Sequence, residues 1–399
     1  MNRQRGALTV ITPLLMLLVI LLGVMALDGA RLYSLRKDMQ SQVNAAATAA
    51  ADAAQACGGE FVTLSEMKSR ALVAAQAQGF SGDEASLIVQ PGVIDSDDEK
   101  VLSFDPVTDV LRSNGVAVRY QRDEPISLLL PENIFGAITV SVGAAARKEL
   151  VGTLSAAGST AVVGGTQQTA NLLNVLLGAI LNGGAPFNID PTEFSSLAET
   201  TVKLGDVLEV VGVDTVEDLL STDVLVANLL GALRSAADPA EDVGGALDQL
   251  ISGAGVETVK IADVINVVGG SGIPENSRLP LYDTVIALAL NLVEGTVIAG
   301  ALPNSQINIP GVTSTQIELF VGKAPTVVVG PARIGEDGDW VTRFYAPDVG
   351  LTVSSDLNVL NLLTLRLPLA VQAGGGTGEL VWARCARGTG SNVVTVGID

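Results

Sequence analysis

Residues able to do bond-breaking chemistry are scarce in this chain. Histidine is absent, so the commonest general base, the usual activator of a nucleophile and the commonest zinc ligand are all missing. The two cysteines, Cys57 and Cys385, cannot supply a four-thiolate metal site; they are either two free thiols or one disulfide, and the compartment decides between these. The acidic run Asp95, Asp97, Asp98 and Glu99 lacks the ligand spacing and central glycine of an EF-hand loop and reads as a solvated turn. Glu336, Asp337 and Asp339 lie in GEDGDW, where Asp-Gly signals a hairpin turn rather than a metal site. No G-x-S-x-G elbow, P-loop or G-x-G-x-x-G fingerprint occurs, and GGSGIPENS around Gly270 has no basic residue or helix start suited to phosphate. The expectation is therefore a non-enzymatic protein with no catalytic residue, no metal ligand and no cofactor.

One constellation recurs. TVKLGDVLEVVG occupies 201–212 and TVKIADVINVVG occupies 258–269, which implies a duplicated helical unit. Lys203, Asp206, Lys260 and Asp263 are thereby candidate partner-contact residues. The plainer reading, two equivalent packing units whose Lys and Asp are solvated or cap helices, is preferred.

The formal net charge of −20 opposes phosphate backbones and anionic headgroups, because nucleic-acid binding draws on clustered Lys and Arg; nucleic acid is excluded as a partner. Hydrophobic residues are 48% of the chain but aromatics only 4%, so the apolar content is Ala, Val and Leu, and no small-molecule substrate is expected.

The elements that carry these residues start with a membrane span. Ala7 to Leu27 is uncharged, and at about 1.5 Å per residue it matches the roughly 30 Å hydrocarbon layer. It is preceded by Arg3 and Arg5 and reads as an uncleaved anchor. Arg31, Arg36 and Lys37 follow it, so charge counting alone leaves orientation even; a single N-terminal anchor before a large domain favours export of the bulk. Beyond the span, Leu32, Leu35, Met39, Val43, Ala46, Ala50, Ala53 and Cys57 recur at steps of three and four, the spacing of one helix face. Export would allow Cys57 to close a disulfide with Cys385.

Strands are expected in EASLIVQ, KVLSF, GVAVRYQ and GAITVSVGAAAR, with QPGVIDSDDE and LRSNG as turns. Helices are expected in TQQTANLLNVLLGAILNG, PTEFSSLAETTVKLGDVLEVVG, DTVEDLLSTDVLVANLLGALRSA, DPAEDVGGALDQLISGAG and LPLYDTVIALALNLVEG, with Asp and Thr at N-caps. Strand-like alternation returns from 307 onward. The fold class is α+β: an N-terminal transmembrane helix continuing into a long Ala-rich helix on an antiparallel sheet, an inserted helical subdomain and a C-terminal β region. The expected organisation is 1–6 cytoplasmic, 7–27 transmembrane anchor, 28–150 helix plus β module, 151–306 helical subdomain and 307–399 C-terminal β region.

RQRGALTVITPLLMLLVILLGVMALDGARLYSLRKDMQSQVNAAATAAADAAQAC resembles the N-terminal segment of the TadG-like proteins of Flp (tight-adherence) pilus assembly, in its basic start, apolar span, Asp and Arg-Leu-Tyr exit and Ala-rich helix. VAVRYQRDEPISLLLPENIFGAITVSVGAAAR is similar to the stretch that follows in that family. The resemblance implies a single-pass inner-membrane protein with a pilin-like periplasmic module whose partners are other pilus-assembly or pilin-like proteins. Related pseudopilins carry a Glu at the position held here by Ile11, so processing at Gly6 is not implied. The D-x-S-x-S motif of the family's von Willebrand-type domain is absent, so no metal-dependent adhesion site carries over. The alternative function is an envelope adhesin-like or ligand-binding module independent of pili.

Overall fold

The structure is a computed structural model that describes residues 5–60, 62–96, 102–127, 136–156, 167–237, 241–268, 276–302, 312–359, 363–386 and 392–398. The chain is mixed α+β. It forms two compact units: Met1–Ile94, Leu102–Glu149 and Arg384–Ser391 make the first, and Asp95–Val101, Leu150–Ala383 and Asn392–Asp399 make the second.

In the first unit a single helix, α1 (Arg5–Ala51, 47 residues), runs about 70 Å at 1.5 Å per residue. From Ile11 to Gly23 every residue is exposed, including Leu14 at 68% and Leu18 at 52%, so this apolar stretch has no packing partner within the chain. It is the one helix among the described residues long and apolar enough to cross a membrane. Burial then switches on along one stripe, with Met39, Val43, Ala46 and Ala50 essentially inaccessible. The small alanines let neighbouring backbone approach closely.

The helix expected to reach Cys57 stops at Ala51, and a short helix α2 (Gln55–Gly58) follows a turn. Tertiary hydrogen bonds end it. Arg70 Nη1 donates to the Asp52 carbonyl (3.0 Å), the Gln55 N–H donates to Ser113 Oγ (3.2 Å), and the Ala56 N–H donates to the Ser113 carbonyl (3.3 Å). These bonds replace the helical ones that residues 52–56 would make.

Helix α3 (Leu64–Ala77) is capped by the Thr63 side chain, which accepts from the Glu66 N–H, and buries Met67, Ala71 and Ala75. Strands β1 (Leu87–Ser96), β2 (Leu102–Pro106), β3 (Gly115–Pro125) and β4 (Ala137–Arg147) form a sheet of order β2-β1-β3-β4, with β3 antiparallel to both β1 and β4. The segment read as a turn, QPGVIDSDDE, instead continues β1 to Ser96. Burial alternates through Leu87, Val89 and Pro91, and pairing with β3 continues through the Pro-Gly pair, with Pro91 opposite Val116 and Gly92 opposite Gly115. The α1 stripe, the buried face of α3 and Val116, Val118, Tyr120 and Val142 of the sheet share one core, in which Phe80 meets Tyr120 edge-on at 5.0 Å.

The second unit contains β5 (Val151–Leu154), α4 (Gln167–Leu181), α5 (Pro191–Glu199), β6 (Thr201–Lys203), α6 (Leu204–Val211), α7 (Val216–Ser221), β7 (Asp223–Leu225), α8 (Val226–Ala236), α9 (Glu241–Gly253), β8 (Thr258–Lys260), α10 (Ile261–Val264), β9 (Ile265–Val267), β10 (Arg278–Pro280) and α11 (Leu281–Asn291). Two of the segments expected to be continuous helices thus contain a three-residue strand, and a third, from Leu279, begins inside one. Beyond them lie β11 (Val297–Leu302), β12 (Val312–Lys323), β13 (Val327–Pro331), β14 (Arg343–Ala346), β15 (Asp348–Val359), β16 (Leu363–Ala373), β17 (Gly376–Arg384) and β18 (Val393–Ile398). The sheets are β11-β12-β15-β16, β5-β13-β9 and β14-β17-β18.

The expected division between 151–306 and 307–399 is not a division between cores. Leu319, Val321, Val327, Val329 and Val349 bury into the same cluster as Leu229, Leu230 and Leu288. Strand β9, from the second copy of the repeat, pairs in parallel with β13. Apolar faces on both sides of residue 307 cover each other, which places them in one unit.

Candidate functional site

Three places concentrate polar chemistry. The first is where α1 leaves its apolar stretch. Arg31, one turn beyond Leu27, donates from Nη1 to Glu124 Oε2 (3.2 Å) and from Nη2 to the Pro125 carbonyl. Arg122 reaches the other Glu124 oxygen (2.7 Å). The Glu124 side chain is only 11% exposed, so this carboxylate is compensated by two guanidinium groups in a partly desolvated place. At the far end of the same face, Lys148 pairs with Asp52. Counting Arg31 only as a flanking charge misses the bond, and nothing in the sequence links it to Glu124.

The second place is the cysteine pair. Cys57 on α2 and Cys385, immediately after β17, form a disulfide across 328 residues of sequence with Cα atoms 5.0 Å apart. The Cys385 N–H donates to the Cys57 carbonyl (3.0 Å), and Gly58 and Arg384 form an antiparallel bridge beside it. The bridge is reinforced from below by the buried Ser113–Asn114 corner. Asn114 Oδ1 accepts from the Ile94 N–H (2.7 Å) and its Nδ2 donates to the Ile94 carbonyl (3.0 Å).

The third place is the repeat. Neither copy closes its own strand pair. Strand β6 of the first copy pairs antiparallel with β10 of the second, and β8 of the second pairs antiparallel with β7 of the first. The registers match position for position: Lys203, Val202 and Thr201 face Arg278, Leu279 and Pro280, while Lys260, Val259 and Thr258 face Asp223, Val224 and Leu225. The flanking bonds match too. Leu204 N–H to Ser277 carbonyl (2.8 Å) corresponds to Ile261 N–H to Thr222 carbonyl (3.3 Å), and Leu281 N–H to Thr200 carbonyl (3.0 Å) corresponds to Val226 N–H to Glu257 carbonyl (3.0 Å). Each strand leads directly into a helix, α6 and α11 from one ribbon, α10 and α8 from the other. This reciprocal exchange is what an isologous interface between identical subunits looks like.

The sequence-derived contact residues fall on these ribbons. Lys203 and Lys260 are exposed at equivalent strand ends, Asp206 is half-buried in the first turn of α6, and Asp263 is exposed on α10. Among the described residues none of the four is in an ion pair. The two Asp-containing segments that follow the copies are not equivalent: Asp223 lies on β7 and corresponds to Arg278, whereas Asp283 is inside α11.

A family model described as a domain of unknown function (DUF8293) matches residues 169–298. No curated protein and no solved structure matches the chain. The matched stretch runs from α4 into β11 and takes in both copies and both ribbons.

Of the two acidic segments, GEDGDW is a turn, whereas Asp95 of the run read as a solvated turn is in a strand. In GEDGDW the Gly335 N–H donates to the Asp339 carbonyl (2.8 Å), Gly338 has φ +87°, and Asp339 is held by Arg343. The Asp339 carboxylate, with Glu379, pushes the Arg343 pKa upward. Asp95 lies on β1, while Asp97, Asp98 and Glu99, and most of GGSGIPENS, lie outside the described residues. No three Asp, Glu or Cys among the described residues are grouped to hold a metal ion.

Proposed function

We propose that the chain is a non-enzymatic, membrane-anchored component of a Flp/Tad-type pilus-assembly or secretion machine, with residues 7–27 in the inner membrane and the bulk of the chain in the periplasm. The observation that carries the reading is the behaviour of α1. It is exposed on every side through Ile11–Gly23, and then, without a break, it packs one face into the core of an antiparallel sheet module. A helix that serves as membrane anchor and module core in one piece is the plan of a pilin-like protein, and it agrees with the TadG-like character of the first residues. The Cys57–Cys385 bridge supports an oxidising compartment, since structural disulfides persist outside the reducing cytosol.

Such a protein acts through contacts. The Arg31–Glu124 pair ties the membrane exit of α1 to the end of β3, so a partner that tilts or draws the anchor moves the sheet with it. Affinity purification of the tagged chain from membranes, combined with piliation of a deletion strain, tests the proposal. Co-purified pilus-machine proteins and a piliation defect support it; no such proteins and normal pili overturn it.

A further inference from the structure

The repeat gives each ribbon an internal control. In both, the flanking bonds alternate so that the Val202–Leu279 and Val259–Val224 pairs are the hydrogen-bonded ones, and the outer pairs, Lys203 with Arg278 and Lys260 with Asp223, are non-hydrogen-bonded pairs, whose side chains approach more closely. Like charges directly opposite in such a pair destabilise it, and opposite charges stabilise it. The β7·β8 ribbon follows the rule with Asp223 facing Lys260. The β6·β10 ribbon breaks it, with Lys203 facing Arg278, both exposed, in a chain of net charge −20. Backbone pairing cannot require this, because the equivalent position holds the neutralising Asp223 with the same bonds.

Further features of the ribbon point to what it takes. Arg278 is oriented by donating from Nη1 to Thr201 Oγ1 (3.1 Å), and among the described residues neither cation is in an ion pair. The alternation that turns Val202 toward β10 turns the Thr201 peptide groups and the Lys203 N–H toward the outer edge of β6, beside the two cations, while the Lys203 carbonyl serves as the N-cap of α6. An extended polypeptide satisfies such an edge, whereas a free phosphate does not.

The geometry points to the Lys203–Arg278 ribbon as a docking site for an acidic, extended segment of a partner protein, its carboxylates received by the two cations. This rests on the contact function proposed above for its biological setting. The site holds a pair of carboxylate oxygens between a fixed guanidinium and an ammonium, while the edge of β6 sets the direction of the incoming strand.

The test uses the full chain in nonionic micelles and a fluorescent hexaglutamate peptide, read by anisotropy at low salt. The wild type binds, and added salt weakens the binding. Replacing both cations, Lys203→Gln with Arg278→Gln, lowers affinity at least about tenfold, whereas Lys260→Gln leaves it unchanged. Arg278→Asp, which recreates the charge pattern of the β7·β8 ribbon, raises the melting temperature while losing the peptide. Equal binding by wild type and the double variant, absence of binding, or competition by inorganic phosphate as effective as that of unlabelled peptide each overturns the proposal. Failure of the pilus reading registers separately, as normal piliation with peptide binding intact.

Discussion

Replacing Cys57 and Cys385 together by alanine opens a loop whose ends lie 328 residues apart. Chain-entropy arithmetic for a loop of that size gives roughly 6 kcal/mol of denatured-state restriction, and measured bridges commonly return less, so about 3–6 kcal/mol is expected. The folded site itself changes little. Cys57 is only 2% exposed, and the backbone bond from Cys385 to Cys57 and the Gly58–Arg384 bridge survive the substitution, though each contributes only about 1 kcal/mol. For a unit of this size each kcal/mol moves the melting temperature by about 2–4 °C, which predicts a drop of roughly 6–24 °C. Calorimetry of the full chain in micelles measures it, with the wild type under reducing conditions as a second route to the same state. Both cysteines belong to the first unit, so the loss shows first in amide exchange of its core residues, such as Val43 and Val118. Melting temperatures within about 2 °C for bridged, reduced and substituted protein would refute the reasoning, as would mass spectra showing free thiols in protein recovered from the envelope.

Arg31→Ala removes one of the two cations on Glu124. Because Arg122 remains, the cost is about 1–2 kcal/mol, seen as faster amide exchange near Glu124 and Ile138; unchanged protection there would contradict the clamp. Asp190 caps α5 by accepting from the Thr192 and Glu193 N–H groups, and the Thr192 hydroxyl and these backbone bonds hold its pKa below 3.8. Its contribution is fully present above the unfolded value and fades as pH falls through the lowered one. Acidification should therefore release those two amides only in the strongly acid range, and loss already near pH 5 would count against it. The Tyr282 hydroxyl is buried with no hydrogen-bond partner among the described residues, and burial, aided by the Asp283 charge, raises its pKa. Tyr282→Phe should leave stability unchanged or raise it by up to about 1 kcal/mol in urea titration, and a clear loss would reveal a partner.

The features readable in the sequence are those with long periods. The uncharged run at Ala7–Leu27, the stripe from Leu32 to Ala50 and the strands around Val118 and Val142 each repeat one pattern over several turns or pleats. Asp190 with Pro191 and Glu193 carries its own capping chemistry and is legible from three residues. What escaped was short or non-local. Strands of three residues show no period, and TVK inside a run of helix formers looks like helix until a partner such as Arg278–Pro280 is known. Helix α1 ends at Ala51 because of Ser113 and Arg70, which no local pattern encodes.

The repeat shows how far tertiary context decides between near-identical segments. LEVV and INVV follow the same TVK triplet and an intervening Asp-Val, yet Leu208–Val211 completes helix α6 while Ile265–Val267 leaves helix α10 after Val264 and becomes β9. Leu and Glu at the first two positions favour helix, whereas Ile and Asn do so less, by tenths of a kcal/mol. That bias alone is too small to choose. The parallel pairing of Ile265, Asn266 and Val267 with Val327, Val328 and Val329 adds backbone bonds and buries Ile265 fully. The first copy forms no such strand pair, and its Val210 remains 48% exposed on a helix that ends at Gly212 in the left-handed region. Equivalence therefore holds where the copies bind each other, at the Val202–Leu279 and Val259–Val224 pairs, and fails where each meets something else. The second copy departs from the first toward β13 and again at Arg278, where the first has Asp223, so the comparison that explains β9 by a strand partner inside the chain supports the proposal that the Lys203–Arg278 pair meets a partner outside it.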